Sequence, residues 1–395
     1  MKRIFAGMTA ALLAVILVFP FSANAISAKN AILLDCTTGR AIFEKDADRR
    51  SLIASTTKIM TALIVCEQCN VLDRVRIPKE AVGVEGSSLY LREGEVLTVQ
   101  ELLYGLMLQS GNDAAVALAI YCGGTVEGFS QMMNDKAHAL KLVNTHFENP
   151  HGLDSDNHYS SARDLAILAA YAMANPIFSK TVSAKNVQIG ERYLKNHNKL
   201  LWRLEGADGV KTGYTKAAGR ILVSSAVRSG RRLVAVTISA PDDWSDHISM
   251  MEMGFQQYSE QRIIASGNVL GKLEIAGGTQ GSVELIADED FDYLLSDKKE
   301  QITICLPSPG FVYAPVAENQ KAGYAHIYLN DCWIGMVELR YGQTVEQEMV
   351  QEQRGLHRLL GGKKNDRTHT KDIIFSRCRV PASCRANDTG WTCYL

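Results

Sequence analysis

The sequence predicts an α+β domain followed by a small all-β domain. Strand patterns lie at both ends of the first region, helical patterns fill its middle, and short alternating segments replace helices after about residue 260. Strands on either side of a helical middle suit an antiparallel sheet with a helical cluster packed on it. With 395 residues, the chain is long enough for two domains, each with its own core.

The first region begins with two strand patterns, continues through helices and ends with strands. Apolar segments bounded by turn residues predict strands at residues 31–34, 41–43, 210–214, 220–227 and 231–239. Apolar residues at helical spacing predict helices over residues 55–65, 113–121, 129–140 and 162–173. One more helix, ending at Leu108, begins with a capping box formed by Thr98 and Glu101.

The remaining boundaries follow from changes in pattern. Alternating segments at residues 282–286, 301–305, 324–329 and 333–339 predict the small all-β domain. The last stretch matches neither region and sustains no amphipathic stripe. We therefore expect a signal peptide over residues 1–25, a catalytic domain over 26–258, an all-β domain over 259–348 and a separate tail over 349–395.

The N-terminus predicts export. Lys2 and Arg3 precede an apolar stretch that reaches Phe21, and Ala23-Asn24-Ala25 offers small residues at the two positions that a signal peptidase reads. We expect cleavage after Ala25, and the alternative is a retained N-terminal anchor. In both cases the rest of the chain lies outside the cytoplasm.

Net charge and cysteine content limit the partners and the reactions that the sequence allows. A formal net charge of −1 without a long basic run argues against a nucleic-acid partner. Cys66 and Cys69 form a CxxC near the end of a helical pattern, where the helix dipole has the wrong sign for a reactive thiol. Buried or partly paired thiols are the favoured interpretation. Four further cysteines in apolar surroundings are interpreted as core residues: Cys36, Cys122, Cys305 and Cys332.

The segment Ser55-Thr56-Thr57-Lys58 is the first candidate for chemistry. Ser55 is predicted at a helix start, where backbone N–H groups favour negative charge. Residues three apart share a helix face, so Lys58 can reach the Ser55 hydroxyl. A serine needs a base before it attacks a carbonyl, and a lysine serves once burial and nearby cations lower its pKa. Taken alone, the segment also fits an N-cap serine followed by an exposed lysine.

The segment Ser110-Gly111-Asn112 is the second candidate, and it breaks two helical patterns with a tight turn. Such a turn can direct polar side chains into a cleft. There the Ser110 hydroxyl can relay a proton and the Asn112 amide can hold a substrate backbone. Taken alone, the segment is an ordinary helix-capping turn.

The segment KTGYT at residues 211–215 is the third candidate and lies on a predicted strand. Its glycine permits close approach of a ligand, and Lys211 and Thr212 can bind a carboxylate. The backbone N–H of Tyr214 can join that of Ser55 as an oxyanion hole. Taken alone, the segment fits a hairpin with a surface lysine.

Together and in this order, the three segments resemble the signature set of penicillin-binding proteins and class A β-lactamases. The chain is similar to the low-molecular-weight D-alanyl-D-alanine carboxypeptidases, the group of penicillin-binding proteins five and six. The matching segments are ASTTKIMTAL (54–63), LQSGNDAA (108–115), NPHGL (149–153) and GVKTGYTKAAG (209–219). Residues 282–294 and 314–316 resemble the second, all-β domain of that family. The resemblance covers roughly residues 28–345 and implies a β-lactamase/transpeptidase-like first domain.

The resemblance implies a serine-type carboxypeptidase without a cofactor or metal. Ser55 would attack the carbonyl between two D-alanines, with Lys58 as base and Ser110 completing proton transfer. D-alanine would leave an acyl-enzyme on Ser55, and water would release the trimmed peptide. The implied partners are peptidoglycan stem peptides and β-lactam antibiotics such as penicillin. The implied substrate-binding residues are Asn112, Lys211, Thr212, Gly213, Tyr214 and Thr215.

Two features depart from the family pattern. Its members usually end in an amphipathic helix that makes peripheral contact with the membrane, and the tail after Gln351 shows no such helix. We interpret this tail as a divergent end or an out-of-frame stretch. His197 stands where some relatives carry an arginine, so supporting positive charge is weaker there, although Lys199 is close in sequence.

Three alternatives remain open at this point. A class A β-lactamase would carry Ser-Asp-Asn as its second segment and a deacylating glutamate, and this chain has Ser-Gly-Asn. A catalytically silent peptidoglycan-binding or β-lactam-sensing protein would keep the same fold. A metalloenzyme would have to use scattered histidines whose spacing matches no zinc motif, which we interpret as solvent or capping residues: His138, His146, His151 and His158.

Overall fold

The computed structural model describes residues 26–296, 300–306 and 310–349. The expected signal peptide, and the expected tail from residue 350 onward, lie outside the described residues. Contacts divide the chain into two compact units, the first ending at Glu252 and the second beginning at Met253 and including Asp35–Arg40. Each unit contains its own sheet.

A five-stranded sheet with the order β2-β1-β9-β8-β7 forms the centre of the first unit, and two short two-stranded sheets, β3–β4 and β5–β6, lie outside it. The strands are β1 (Asn30–Asp35), β2 (Ala41–Lys45), β3 (Arg74–Arg76), β4 (Val96–Thr98), β5 (Asn186–Ile189), β6 (Arg192–Lys195), β7 (Ala207–Thr215), β8 (Gly219–Arg228) and β9 (Arg231–Ile238). The pairs β1–β2, β7–β8 and β8–β9 are antiparallel. This arrangement confirms the predicted antiparallel sheet built from the two ends of the region.

Eight helices accompany this sheet in the described residues. They are α1 (Lys58–Gln68), α2 (Val99–Leu108), α3 (Asn112–Gly123), α4 (Val126–Ala139), α5 (Ala162–Met173), α6 (Pro176–Ser183), α7 (Leu200–Arg203) and α8 (Asp243–Gln257). The predicted capping box of α2 is confirmed, because Thr98 Oγ1 accepts the Glu101 N–H at 3.2 Å and the Glu101 carboxylate accepts the Thr98 N–H at 2.7 Å.

Helices cover both faces of the sheet. Six consecutive residues of β8, Ile221–Ala226, are buried, a pattern that requires cover on both sides. α5 packs on β8 and β9. His247 of α8 hydrogen-bonds to Ser224 of β8 at 2.6 Å and to Thr237 of β9 at 3.0 Å. The segments in the middle of the sheet are therefore held rigidly from both sides.

The helix predicted over residues 55–65 begins differently from the expectation. Ala54–Thr57 forms a 3-10 turn, and the α-helix begins only at Lys58. The hydroxyls of Thr56 and Thr57 donate to the carbonyl oxygens three residues earlier, at 2.5 and 2.8 Å. Threonine side chains that bond to the local backbone compete with regular helix formation, which explains the tighter first turn.

The second unit consists of strands. A six-stranded sheet has the order β14-β16-β17-β12-β11-β15, and β10 pairs with β13. The strands are β10 (Tyr258–Ile264), β11 (Val269–Ala276), β12 (Ser282–Ala287), β13 (Phe291–Ser296), β14 (Ile302–Cys305), β15 (Phe311–Tyr313), β16 (Lys321–Leu329) and β17 (Cys332–Tyr341). Alternating buried residues such as Val283 and Leu285 of β12 form its core, which confirms the predicted all-β domain.

The cysteines are less buried than expected. Cys332 is exposed, and Cys36, Cys122 and Cys305 are half-buried, so the interpretation of these four as core residues is wrong. An apolar neighbourhood in sequence does not bury a residue at the end of a helix or strand. Cys66 is buried within α1, and Cys69 caps its C-terminus, as the helical pattern indicated.

The length and apolar content of the helices decide whether one of them could cross a bilayer in the described part of the chain. No single helix there is both long and apolar enough to cross a bilayer. The consecutive helices α5 and α6 meet the length and composition criteria only when taken together, and they are bent by 105° at their junction.

Candidate active site

Ser55 and Lys58 meet at the junction of the 3-10 turn and α1. Lys58 Nζ donates to Ser55 Oγ at 3.0 Å, so the i, i+3 spacing brings the two side chains together as predicted. The alternative reading of Lys58 as an exposed lysine is wrong, because its side chain is fully buried. A fully buried amine in contact with a serine hydroxyl is the arrangement that a lysine base requires.

Burial and charge prepare Lys58 for proton transfer. Its Nζ also donates to Asn112 Oδ1 at 2.7 Å and to the carbonyl oxygen of His151 at 2.6 Å. Burial lowers the pKa of Lys58 well below its usual value, the positive charge of Lys211 lowers it further, and Asp113 opposes both effects. A lysine with this depressed pKa is neutral in a larger fraction of molecules and can accept a proton.

Asn112 connects three segments of the site. It is the first residue of α3, two residues after Ser110, whose φ of +64° contributes to the sharp break between α2 and α3. Besides accepting from Lys58, the Asn112 amide donates to the carbonyl oxygen of Glu85 at 2.5 Å, and its backbone N–H donates to that of Ser87 at 2.7 Å. The predicted tight turn therefore places Ser110 at the cavity and Asn112 against Lys58 and a further loop.

That loop, residues 85–91, was not predicted as part of the site. Ser87 lines the same cavity as Ser55 and Ser110. The buried carboxylate of Asp113 accepts backbone N–H groups from Leu89 at 2.9 Å and Leu91 at 3.1 Å. Asp113 thus fastens the loop beside the turn that carries Ser110. The only available signal in the sequence was an acidic residue in the first turn of α3.

The KTGYT segment forms the last residues of β7 and runs past Ser55. A Cβ placed on Gly213 would lie 3.3 Å from the backbone nitrogen of Ser55, so glycine permits this close approach. Lys211 is buried, its Nζ donates to the carbonyl oxygen of Thr212 at 2.9 Å, and burial lowers its pKa to about 7. An anion bound beside Lys211 would favour its protonated form.

A cavity of about 650 Å³ opens over Ser55 and is bounded by all three segments. Its lining residues are Ser55, Ser87, Ser110, His197, Lys199, Thr212, Gly213, Tyr214, Arg220, Ile221, Asp243 and Trp244. Thr215 is not among these described lining residues, and its hydroxyl accepts the Ala218 N–H at 3.0 Å in the turn after β7. The other predicted substrate-binding residues of KTGYT either line the cavity or, in the case of Lys211, lie directly beneath it.

Cationic side chains occupy one wall of this cavity. Arg220 pairs with Asp243 at 2.5 Å, while Lys199 lies 6.0 Å from the centre of the Trp244 ring. Burial, followed by the charge of Lys211, lowers the pKa of His197, so this histidine is neutral, as the sequence analysis expected. Lys199 therefore supplies positive charge that an anionic ligand would meet, and Arg220 adds to it although Asp243, on the same wall, offsets part of its charge.

Two histidines that we interpreted as solvent or capping residues lie beneath the site. His158 is buried, and its Nε2 lies 2.7 Å from Thr57 Oγ1. Its Nδ1 accepts the Glu148 N–H at 3.0 Å, so Nε2 carries the proton and donates to Thr57. Burial lowers the pKa of His158 to about 4 and that of His151 to about 3, so both are neutral. The interpretation as a solvent residue is therefore wrong for His158, whereas His151 is half-buried and its Nδ1 accepts the Leu153 N–H at 3.2 Å, as a capping residue would.

The NPHGL segment packs against the turn that carries Ser55. Gly152 has φ +89°, and a Cβ there would lie 1.9 Å from the carbonyl oxygen of Ala54. Thr61 Oγ1 donates to the carbonyl oxygen of Pro150 at 2.6 Å. This segment supports the 3-10 turn from below, because it contacts both that turn and the first turn of α1.

Comparison with known proteins identifies the family to which this chain belongs. The family profile described as D-alanyl-D-alanine carboxypeptidase matches residues 18–242, and the profile of the penicillin-binding protein 5 C-terminal domain matches residues 258–347. The D-alanyl-D-alanine carboxypeptidase DacF of Bacillus subtilis is 34% identical over 315 residues, which cover 75% of this chain and 80% of DacF. DacD of Escherichia coli is 33% identical over 338 residues, which cover 79% of this chain and 86% of DacD.

Solved structures agree with the profiles. Penicillin-binding protein 5 from Haemophilus influenzae superposes with a TM-score of 0.68 at 30% identity, covering 82% of this chain and 99% of that one. The Streptomyces K15 DD-transpeptidase superposes with a TM-score of 0.57 at 36% identity, covering 59% of this chain and 98% of that one. A serine, a buried lysine and a KTG strand around one cavity, together with these matches, show that the chain belongs to the D-alanyl-D-alanine carboxypeptidase family of serine peptidases.

Proposed function

We propose that this chain removes the terminal D-alanine of peptidoglycan stem peptides through an acyl-enzyme on Ser55. The observation that carries the proposal is the 3.0 Å contact between Lys58 Nζ and Ser55 Oγ, made by a lysine whose pKa is depressed. The curated relatives DacF and DacD bear the name of this activity. Their similarity extends over both units of this chain.

Acylation begins when neutral Lys58 takes the proton of the Ser55 hydroxyl. Ser55 Oγ then attacks the carbonyl carbon of the D-alanyl-D-alanine amide, and the carbonyl oxygen becomes an oxyanion. The backbone N–H groups of Ser55 and Tyr214 are the donors that we assign to this oxyanion, since β7 runs directly past Ser55. Lys58 returns the proton through Ser110 to the leaving amine, the C–N bond breaks, and D-alanine departs.

Deacylation repeats this chemistry with water in place of the serine. Lys58, neutral again after the amine has left, accepts a proton from a water molecule that attacks the acyl carbon. The ester bond to Ser55 Oγ breaks, and the serine recovers its proton. Asn112 holds both Lys58 and the loop that contains Ser87, so we assign it the positioning of the base and of the substrate backbone.

The terminal carboxylate of the substrate is assigned to the cationic wall. Thr212 lines the cavity and Lys211 lies beneath it, while Lys199 and Arg220 face it from the side. Thr215 supports this region through the turn that follows β7. A free carboxylate at this point distinguishes a carboxypeptidase substrate from an internal peptide bond.

β-Lactam antibiotics are proposed as ligands of the same serine. A β-lactam presents an amide carbonyl and a carboxylate, so it can acylate Ser55 and bind the cationic wall. Export is proposed because the peptidoglycan substrate is extracytoplasmic, and the site of action would be the cell wall or the outer face of the cytoplasmic membrane. Peripheral contact with the membrane, which the family resemblance implies, stays a prediction.

The test measures D-alanine release from a pentapeptide ending in D-Ala-D-Ala, with the mature chain and Ser55→Ala compared side by side. Release by the wild type alone supports the proposal. A fluorescent penicillin that labels the wild type but not Ser55→Ala reports the nucleophile separately. Labelling of Ser55 without any D-alanine release would contradict carboxypeptidase activity and favour a β-lactam sensor.

A further inference from the structure

Two helices that begin at the active site end at a pair of cysteines. α1 begins with Lys58 and is capped by Cys69, and α3 begins with Asn112 and carries Cys122 as its penultimate residue. The Lys58–Asn112 hydrogen bond of 2.7 Å joins their first residues. The helices have 11 and 12 residues, so both rise about 16–18 Å from the site. The C-terminal ends of the two helices therefore lie at similar distances along the chain from the site.

The two thiols meet at those far ends. The side chains of Cys69 and Cys122 hydrogen-bond to each other, and both are half-buried. α1 and α3 also pack against one another. Sulfur atoms in contact on two packed helices can come within bonding distance by side-chain rotation, without any change in the fold.

The surrounding backbone is fastened in this arrangement. Tyr121, next to Cys122, donates its hydroxyl to Asp73 Oδ2 at 2.9 Å. The backbone N–H of Asp73 donates to the carbonyl oxygen of Asn70 at 3.0 Å, which closes the turn directly after Cys69. This bridge holds the two cysteines side by side independently of their own contact.

The two thiols differ in reactivity because their pKa values are shifted in opposite directions. The hydrogen bond from Cys69 lowers the pKa of Cys122, while the same bond and burial raise the pKa of Cys69. Cys122 is therefore the better nucleophile. Cys66, three residues before Cys69 in the CxxC, is buried, and burial together with Glu67 raises its pKa to about 12. Cys66 is therefore a poorer nucleophile than Cys122.

We propose that Cys69 and Cys122 form a reversible disulfide that joins the C-terminal ends of α1 and α3. The Cys122 thiolate attacks a small-molecule disulfide RSSR, forming a mixed disulfide and releasing one RS⁻. Cys69, after losing its proton to solvent, attacks the Cys122 sulfur and releases the second RS⁻. Two protein thiols are oxidised, and one external disulfide is reduced to two thiols. An exported chain meets such oxidants more often than a cytoplasmic one.

The disulfide would stabilise the scaffold of the site without touching its chemistry. It closes the loop of residues 69–122, which contains α2 and the loop carrying Ser87. Closing a loop of this length lowers the entropy of the unfolded chain, and the expected rise in Tm is about 4–16 °C. The sulfur atoms lie a full helix length from Ser55, so the rate of penicillin acylation should change less than about twofold.

The test is peptide mapping of the mature chain after treatment with oxidised glutathione, without reduction. Trypsin leaves Cys66 and Cys69 in one peptide, and a glutamate-specific protease separates them by cleaving after Glu67. The expected product is a peptide containing Cys69 linked to one containing Cys122, lighter than the sum by two hydrogens. A Cys66–Cys69 product, or free Cys69 and Cys122 after oxidation, would overturn the proposal.

Matched variants extend the test to stability. Cys122→Ser and Cys69→Ser should each abolish the rise in Tm that glutathione produces, and Cys66→Ser should retain it. A rise that survives in Cys122→Ser would refute the assignment. Because peptide mapping uses the wild-type chain, its outcome stands even if a variant folds poorly.

Discussion

Gly152→Ala should damage both the fold and the reactivity of Ser55. Gly152 adopts φ +89°, a conformation that L-residues rarely adopt, and its Cα faces the carbonyl oxygen of Ala54. A methyl group there would lie 1.9 Å from that oxygen and 2.7 Å from Thr57 Oγ1. Because the oxygen belongs to the peptide group that leads into Ser55, relieving the clash displaces the nucleophile's own turn relative to the segment that supports it.

The size of the effect follows from two separable contributions. A non-glycine residue in the left-handed region costs about 1–2 kcal/mol. Forcing backbone atoms apart in a packed interior adds about 2 kcal/mol. Gly230→Ala isolates the first contribution, because Gly230 has φ +82° in the hairpin between β8 and β9 and no atom lies within 4 Å of its added Cβ. We expect Gly152→Ala to melt about 4–8 °C below Gly230→Ala.

Thermal denaturation and stopped-flow penicillin acylation measure the two consequences. A shift of the Ser55 turn by about 1 Å should slow acylation by roughly a hundredfold in Gly152→Ala. Gly230→Ala should acylate at the wild-type rate. Equal melting temperatures for the two variants, or an unchanged acylation rate in Gly152→Ala, would refute the claim that the NPHGL segment supports the nucleophile from below.

Three further predictions concern charges and buried polar groups. The acylation rate should rise with pH through a midpoint below the usual pKa of a lysine. Lys211→Gln should move this midpoint to higher pH, because the charge of Lys211 lowers the pKa of Lys58. A midpoint that is unchanged in the variant would contradict this coupling. Asp113→Asn should lower the free energy of unfolding, measured in urea, by about 2–3 kcal/mol, because an amide cannot accept all the hydrogen bonds that the carboxylate accepts. A loss below about 0.5 kcal/mol would exclude the anchoring role of Asp113. Burial lowers the pKa of His247 to about 3, so its stabilising contribution is complete above about pH 6.5 and is lost as the pH falls toward 3. His247→Gln should therefore flatten the decline of Tm across that window. An equal decline in the variant would assign the acid sensitivity to other groups.

Local signals in the sequence were sufficient for much of the fold. The helix Ala162–Met173 was predicted with its observed bounds from apolar spacing alone, and the structure adds a Ser161 side chain that caps its first turn. The long strands β7, β8 and β9 were found because turn residues separate apolar runs. The helix α6 and the hairpin β5–β6 were missed, since eight- and four-residue elements offer too few repeats for a period to emerge.

The candidate site likewise combines contacts between residues that are close in sequence, which could be predicted, with contacts between distant residues, which could not. Ser55 and Lys58 are three residues apart, so helix geometry alone predicts their contact. His158 reaches Thr57 across 101 residues of chain, and nothing near His158 in the sequence indicates that partner. Asp113 is adjacent to a predicted site residue but acts on a loop more than twenty residues earlier. Contacts of this kind depend on the tertiary fold and lie beyond local patterns.

The two buried lysines have a consequence for ligand detection. Lys58 and Lys211 are both fully enclosed, and burial lowers the pKa of each, so the unliganded protein pays in folding free energy for keeping ammonium groups out of water. A carboxylate that enters the cavity beside Lys211 compensates part of that desolvation, and it does so only in the folded state. Anionic ligands should therefore raise the melting temperature in proportion to the logarithm of their concentration. A thermal-shift screen on Ser55→Ala can rank non-covalent ligands of the cavity without any turnover.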